Sequence, residues 1–574
     1  MMKVDKKQLI KKLEQIGVYL ELKGENPFKI SAYRKAAQAL ESDDRSLSEI
    51  EDFTAMNGIG KGTATVIQEF IEKGESDTLN QLEEDVPAGL VPLLQLSGLG
   101  GKKLAKLYQE LGVTDAASLK TALEEGKVEQ LSGFGKKSAE KILQALEDAG
   151  SRPERLPIAV MLPLAEKIEG YLDTVDTIKR YSRAGSLRRM QETIKDLDFI
   201  ISTKSPEEVR DELLKIDNIK ETVASGETKV SVVLAEGYDI GVDFRLVQPH
   251  EFATTLHHFT GSKDHNVAMR QLAKAQGEKI SEYGVEDVET GEIKTFETEE
   301  AFFNHFGLNF IPPELREDDG EVEQFKDEVA TLLQHQDIRG DLHMHSTWSD
   351  GAQSIKEMAD RAREMGYEYI AITDHSKYLK VANGLDEERL RKQREVIDEL
   401  NESYDDFHIF AGIEMDILPD GSLDFSEEFL KEMDFVIASI HSSFNQDRET
   451  IMKRLNTALE SPHVHMIAHP TGRLIGRREG YDVDVEALIE GAKRTNTVLE
   501  LNANPNRLDL AWKWLSHAQE QGVKVAINTD AHSYSMLEHM KVGVGIGRKG
   551  WLQKENVLNT WTRKQLETFL NQNR

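Results

Sequence analysis

Over the first 150 residues hydrophobic positions recur at helical spacing, in short amphipathic stretches broken by glycines and with almost no strand alternation. One phrase recurs there: MNGIGKGTA (56–64), LSGLGGKKLA (96–105) and LSGFGKKSA (131–139), each an apolar approach, a G-x-G turn and another amphipathic helix. From about 155 to 315 strand-like runs enter, DLDFIIS (196–202), KVSVVLA (229–235) and YDIGVDFRLV (238–247), mixed with helices. Pro312-Pro313 followed by REDDGEVEQ (316–324) reads as an acidic linker. Beyond about 340 seven apolar runs alternate with helical stretches: DLHMH, YIAITDH, HIFAGIEMD, FVIASIH, HMIAHP, VLELNAN and KVAINTDAH. That alternation predicts parallel βα units, with a closed barrel as one arrangement of them.

A chain of 574 residues is too long for one compact unit, and three or more domains are expected. With no cysteine there is no disulfide, thiolate zinc site or Cys nucleophile, so any metal site must use His, Asp and Glu. No stretch of 18 apolar residues occurs, which predicts a soluble cytoplasmic protein with no membrane partner. The net charge of −31 argues against nucleic acid, because such partners normally meet a basic surface. Every segment shares the acidity: −5 over 1–150, −12 over 151–320 and −14 over 321–574. Motifs must therefore decide.

Twelve of the 17 histidines lie at or beyond His335, and many close an apolar run. His343, His345, Asp350, His375, Glu414, His441, His469, Asp530 and His532 are ligand-type residues at or near expected strand ends. Parallel α/β folds gather their sites at those ends. In H-x-H and D-x-H, side chains at i and i+2 of an extended chain face one way, so both can reach one metal cluster. This set resembles the PHP family of metal-dependent phosphoesterases over about residues 338–574. The resemblance implies a distorted (βα)7 barrel whose nine residues hold up to three ions, Mn²⁺ and/or Zn²⁺, that activate water and neutralise phosphate oxygens. Arg473 is a phosphate-holding candidate, with a surface arginine the equal alternative.

In the middle segment AGSLRRMQETIKDLDFII (184–201), Gly185-Ser186 begins a turn able to approach a phosphate, with Arg188 and Arg189 supplying charge. Asp196 and Asp198 follow at i and i+2, and Asp243 interrupts a later apolar run. Three carboxylates on adjacent strands would hold two Mg²⁺ or Mn²⁺ ions. The arrangement resembles the nucleotidyltransferase palm, an α+β fold, of family X DNA polymerases. By that resemblance Asp196, Asp198 and Asp243 are metal ligands, Asp243 is the general base, and Gly185, Ser186 and Arg189 bind the dNTP triphosphate. Within LHHFTGSKDHNVAMR (256–270), Phe259-Thr260-Gly261-Ser262 resembles the family's nucleotide-binding loop, with Asn266 and Arg270 at the minor-groove-sensing positions. His258 stands where the best-known members carry a tyrosine beside the incoming sugar.

The repeated G-x-G turns, Gly58/Gly60, Gly98/Gly100 and Gly133/Gly135, carry the helix-hairpin-helix signature. Such turns offer backbone N–H groups to a DNA phosphate, often beside a monovalent cation, and read no bases. NPFKISAYRKAAQAL (26–40) resembles the polymerases' small N-terminal domain, with Lys29, Tyr33, Arg34 and Lys35 matching its 5′-phosphate-binding motif. That domain's Schiff-base lysine falls on Val66, which cannot form an imine, so no deoxyribose-phosphate lyase activity is expected.

The expected architecture is multidomain, α followed by α/β: a DNA-end-binding helical domain with a helix-hairpin-helix (1–80), a second helical region with two more (81–153), a palm and thumb (154–315), an acidic linker (316–337) and the PHP domain (338–574). The expected activity is gap-filling DNA synthesis in repair, with a 3′→5′ exonuclease or abasic-site phosphodiesterase in the barrel. The expected partners are gapped or primer-template DNA bearing a 5′-phosphate and dNTPs, and the expected state is a monomer. Three alternatives remain: a nuclease whose vestigial palm only holds DNA, a small-molecule phosphatase, and a non-enzymatic scaffold.

Overall fold

The computed structural model describes residues 4–43, 45–96, 99–150, 153–326 and 331–572. The N-terminal third is helical, with helices Lys6–Leu22, Pro27–Glu41, Lys61–Lys73, Asp77–Asp85, Gly101–Leu111, Ala116–Glu124 and Lys136–Gly150. Asp5 caps the first through a capping box with Gln8, and Asn26 with Pro27 at N1 starts the second. Leucines and isoleucines from successive turns share one core across the whole region.

In the palm five strands lie in the order Ile178–Arg183, Leu197–Thr203, Tyr238–Val247, Lys229–Glu236 and Ile219–Ser225. Only Leu197–Thr203 and Tyr238–Val247 run parallel, and their register sets Asp198 opposite Asp243. Alternate residues of this pair face the core, where Phe199 stacks on Phe244 at 5.6 Å. The thumb packs helices Phe252–Thr260, Lys263–Ala275 and Glu299–His305 with a three-stranded sheet around Phe302, Phe303 and Phe306.

Over its described residues, 316–326 and 331–337, the expected linker is instead packed structure. Arg316 is fully buried and pairs with Glu299 at 2.6 Å, Glu321 is buried against His265 at 2.7 Å, and Phe325 enters the thumb core. Further on, Leu333 joins the barrel's core and its N–H donates to the carbonyl of Leu552. The acidic composition misled because these charged residues find buried partners elsewhere in the chain.

Beyond it, strands Gly340–Asp341, Tyr369–Ile372, His408–Asp416, Phe435–Ser439, Met466–Ile467, Val498–Asn502 and Val525–Asn528 form one parallel sheet in chain order. A lone bridge between Met344 and Ala531 links the outer two, so the barrel is nearly closed. Strand residues alternate between two apolar clusters: Tyr369, Ala371, Phe435 and Ile437 enter one, Ile370, Ile372, Val436 and Ala438 the other. Leu566, Phe569 and Leu570 of the last helix, Arg563–Gln572, complete the first cluster.

Barrel and palm are joined by Arg473, which grips Glu192 bidentately at 2.6 and 3.0 Å, and by buried Lys549, which reaches Glu317 at 2.7 Å. Ser48 of the helical region donates to Glu357 of the barrel at 2.9 Å.

Candidate metal centres

In the barrel the strand ends bring all nine expected residues together. Ligand atoms of His345, Asp350, His375 and His532 lie within 4.8 Å of one another, as do those of His343, His345 and Asp530, and those of His375, Glu414 and His441. His469 joins through Nε2, 3.0 Å from Glu414 Oε1. His345 stacks between His375 and His532 at ring separations of 4.3 and 4.1 Å. Asp530 and His469 sit at φ +53° and +28°, left-handed backbone that a non-glycine residue holds only under tertiary constraint.

This donor set fits divalent metal. His375 Nδ1 and His343 Nε2 converge on Glu414 Oε2 at 2.9 and 3.5 Å, and His345 Nδ1 and His469 Nδ1 are buried without a hydrogen-bond partner. Such orphaned groups are costly unless a cation engages them. The charges interlock in the same way. Burial opposes the charged ring of His343, yet Glu500, Asp530 and Glu414 hold its pKa well above the ordinary value. Burial likewise opposes His441, which Glu414 and Asp416 bring up to about 10. His345 is pushed down to about 3 by burial and by the neighbouring His532 and His375.

A supporting ring of acids escaped the sequence reading. Glu500 accepts from His343 Nδ1 and from the backbone N–H of His469, each at 2.7 Å. Asp416 lies 3.2 Å from His441 Nδ1, and Asp374 accepts from Ser346, Ser349 and Gln393. Partners of this kind fix the tautomer and orientation of metal-binding imidazoles. Their sequence signal was available: each acid interrupts or ends an apolar run, as in VLELNAN, HIFAGIEMD and YIAITDH. Arg507, also missed, places Nε 3.5 Å from Asp530 at the rim of the cluster. Arg473 is an inter-domain strut, engaged by Glu192 and by the Arg507 carbonyl rather than turned to a phosphate.

In the palm Asp198 and Asp243 stand side by side, and Asp196 precedes the first strand. Burial, together with Asp243 and Asp196, pushes the Asp198 carboxyl up to about 6. Asp243 accepts from Ser231 Oγ at 2.6 Å and pairs with Lys229 at 2.9 Å. Gly185, at φ +61°, lies against Asp198, and a side chain there would overlap its carboxylate. Gly241, missed in the sequence, makes the same room for Asp196, whose oxygen would lie 2.6 Å from a Cβ.

The Arg189 guanidinium donates to Glu317 at 3.0 Å and to the Thr260 carbonyl at 2.5 Å, so here it braces the Gly261 turn. Arg188 is likewise engaged by Glu299 and Thr260. Ser186 lies beside Gly185 in the single helical turn Gly185–Arg188. Phe259 lies under Arg245 at 4.3 Å, His258 Nε2 is 3.7 Å from Glu282, and the Asn266 amide donates to the His258 carbonyl at 2.8 Å. Asn266 Oδ1 is buried without a partner, while Arg270 is exposed.

In the helical region Gly58 and Gly133 sit at φ +103° and +92°, and Gly60 and Gly100 are N-cap residues. Gly135 directly precedes helix Lys136–Gly150, and Gly98 lies outside the described residues. Lys29, Arg34 and Lys35 are exposed, with Arg34 paired to Glu21 at 2.6 Å. Tyr33 is corrected: its ring is buried in the helical core and hydrogen-bonds Thr78, so it supports the helix rather than its basic face. Val66 is buried in the same core.

Comparison with known proteins agrees with this geography. Models for a helix-hairpin-helix domain and a SAM-like helix-hairpin-helix tandem match residues 4–76 and 91–148. A DNA polymerase beta thumb model matches 255–317, and a PHP domain model matches 341–530. A Bacillus subtilis (strain 168) protein named DNA polymerase/3′-5′ exonuclease PolX is 61% identical over 568 residues, covering 99% of this chain and all of its own length. A probable phosphatase of Thermoanaerobacter sp. (strain X514) is 28% identical over 38% of this chain and 89% of its own length. One from Acetivibrio thermocellus is 30% identical over 33% of this chain and 78% of its own.

Proposed function

The chain belongs to the PolX family of DNA polymerase/3′-5′ exonucleases, and on that premise we infer that its palm extends a primer while its barrel hydrolyses the 3′ end. The observation that carries this reading is the presence of two separate groups of ligand-type residues in one chain: three palm carboxylates, and nine His, Asp and Glu residues, six of them buried, at the barrel's strand ends. The phosphatases named above match 38% and 33% of the chain, too little to account for both groups, and the palm set favours the polymerase.

In the palm, Asp196, Asp198 and Asp243 hold Mg²⁺ or Mn²⁺, and Asp243 takes the proton of the attacking 3′-hydroxyl. The Gly185-Ser186 turn receives the dNTP triphosphate, and Arg189 holds the Gly261 turn in place beside it. His258 and Phe259 line the sugar position, and Asn266 and Arg270 face the minor groove. In the barrel the nine residues would hold up to three ions, Mn²⁺ and/or Zn²⁺, with Glu500 and Asp416 orienting His343 and His441 and Asp374 bracing the Ser346–Ser349 segment between His345 and Asp350. Bound divalent ions would activate water and offset phosphate charge. The glycine turns hold the DNA backbone through amides, beside a monovalent cation. Lys29, Arg34 and Lys35 hold the 5′-phosphate of a short gap, which suits a monomeric cytoplasmic enzyme of DNA repair. Amide turns need little side-chain charge, which reconciles DNA binding with a net charge of −31.

Primer extension and degradation on gapped DNA separate the two sites. Asp196→Ala with Asp198→Ala should abolish extension and leave 3′ hydrolysis, and His343→Ala with His345→Ala should do the reverse. Extension surviving the first pair, or hydrolysis surviving the second, would refute the assignment.

A further inference from the structure

Beside the barrel's metal cluster lies a surface that none of the assigned residues uses. The loop from Ser376 to Gly384 follows directly on His375 and is pinned at its base. Leu385 N–H donates to the His375 carbonyl at 2.8 Å, and Gly384 leaves no room for a side chain, since a Cβ there would overlap the Ser376 carbonyl. Asn383, at φ +54°, donates from its amide to the Trp348 carbonyl at 3.2 Å, within the segment between His345 and Asp350. Tyr378 N–H donates to Asp424 at 2.8 Å, and the Tyr378 hydroxyl lies 3.5 Å from Ser442 Oγ, the residue after His441. The loop is thus braced against three ligand-bearing segments.

This rigid loop presents apolar surface outward. Among the described residues of the barrel only Tyr378, Val381 and Val396 are large apolar side chains left exposed, and the first two share this loop, at 40% and 84% exposure. Lys377 is committed to Glu387 at 2.6 Å and to the ring of Phe425, while Lys380 is exposed between the two apolar residues. An exposed aromatic with a neighbouring cation is the combination that binds single-stranded nucleic acid without reading its sequence, the base stacking on the ring and the cation meeting the backbone. A mononucleotide phosphatase would have no use for a platform outside its metal cluster.

We propose that the Tyr378–Val381 loop is the stacking platform for the 3′-terminal bases of single-stranded or frayed DNA, feeding that end to the barrel's cluster. The proposal rests on the exonuclease reading and names the form of its substrate: an unpaired end, bases included.

The test uses the full-length protein with Mn²⁺ and two single-stranded oligonucleotides, one intact and one whose two 3′-terminal nucleotides carry a tetrahydrofuran in place of sugar and base. Wild type should favour the intact end in kcat/KM by about 10-fold or more, the order that stacking one base contributes, with most of the difference in KM. Tyr378→Ala should erase that preference, Tyr378→Phe should keep it, and Val381→Ser should reduce it by a smaller factor. A wild type indifferent to the terminal bases, or a Tyr378→Ala enzyme that still prefers them, overturns the proposal. Equal proportional loss on both ends also overturns it, because it marks a merely structural role. A wild type that degrades neither end removes the exonuclease reading itself, and the platform with it.

Discussion

In the palm three half-buried carboxylates gather at two interior strands of the sheet, whereas in the barrel three carboxylates and six imidazoles are enclosed at the strand ends. The palm leaves its repulsion largely uncompensated, and the Asp198 carboxyl is driven up to about 6 with only Lys229 and Arg245 nearby to lower it. The barrel interleaves rings with acids, so Glu414 and Asp530 are held well below the carboxylate range despite burial. The difference teaches how each site meets its metal. On the proposed reading the barrel is a preformed cage with its own supporting acids, while the palm would be a half-site completed by the phosphates that arrive with the substrate.

Two effects of comparable size head the expected losses, the first from the supporting acids. Glu500→Gln removes the charge that orients both His343 and His469, and should lower 3′ hydrolysis or metal affinity by about 10–100-fold. Primer extension by the same variant should be unchanged, and an equal loss of both activities would break the contrast. Gly185→Ala offers the mirror case. A methyl group forced against Asp198 at φ +61° should cut extension by about 100-fold, as a small misplacement of reacting groups does, and leave hydrolysis intact in the same preparation.

Glu299 tests the join between palm and thumb. Burial alone would raise its pKa, but Arg316 and Arg188 bring it down to about 2. A carboxyl depressed in the folded state contributes stability that is fully present above its unfolded pKa near 4.5 and is lost as pH falls towards 2. That linkage amounts to about 3 kcal/mol, and Glu299→Gln should flatten the fall of denaturation midpoint with pH over this window. An unchanged acid limb in the variant would contradict it. Asp198 has the opposite sign. Its raised pKa makes proton and metal compete, so the Mg²⁺ concentration needed for half-maximal extension should fall as pH rises through about 6. The smallest effect belongs to exposed pairs such as Arg448–Asp482, 2.7 Å apart, where solvent screens the charges and Arg448→Ala should leave the denaturation midpoint unchanged.

Much of this was legible in the chain. The seven apolar runs after residue 340 became seven parallel strands, and YDIGVDFRLV coincides with the strand Tyr238–Val247. Those features are local, set by period and by residue type at strand ends. The features that were missed depend on distant partners. Arg188 and Arg189 read as phosphate ligands because nothing nearby shows that Glu299 and Glu317, more than 100 residues on, will engage them. The acidic stretch after Pro313 read as a linker for the same reason. Tyr33 looked like a binding residue from its motif, yet its helix turns it into the core, where Leu40 and Ile67 also lie. Gly241 and Lys229 have no signature of their own and acquire meaning only once the register sets them beside the palm acids.

The claim that the barrel is a preformed metal cage and the palm is not can be tested without any activity. Protein passed through gel filtration in metal-free buffer should retain one or more equivalents of transition metal by elemental analysis. His343→Ala with His345→Ala should lose that metal, and Asp196→Ala with Asp198→Ala should keep it. Metal absent from the reloaded and desalted wild type, or retained equally by the histidine variant, would contradict the account.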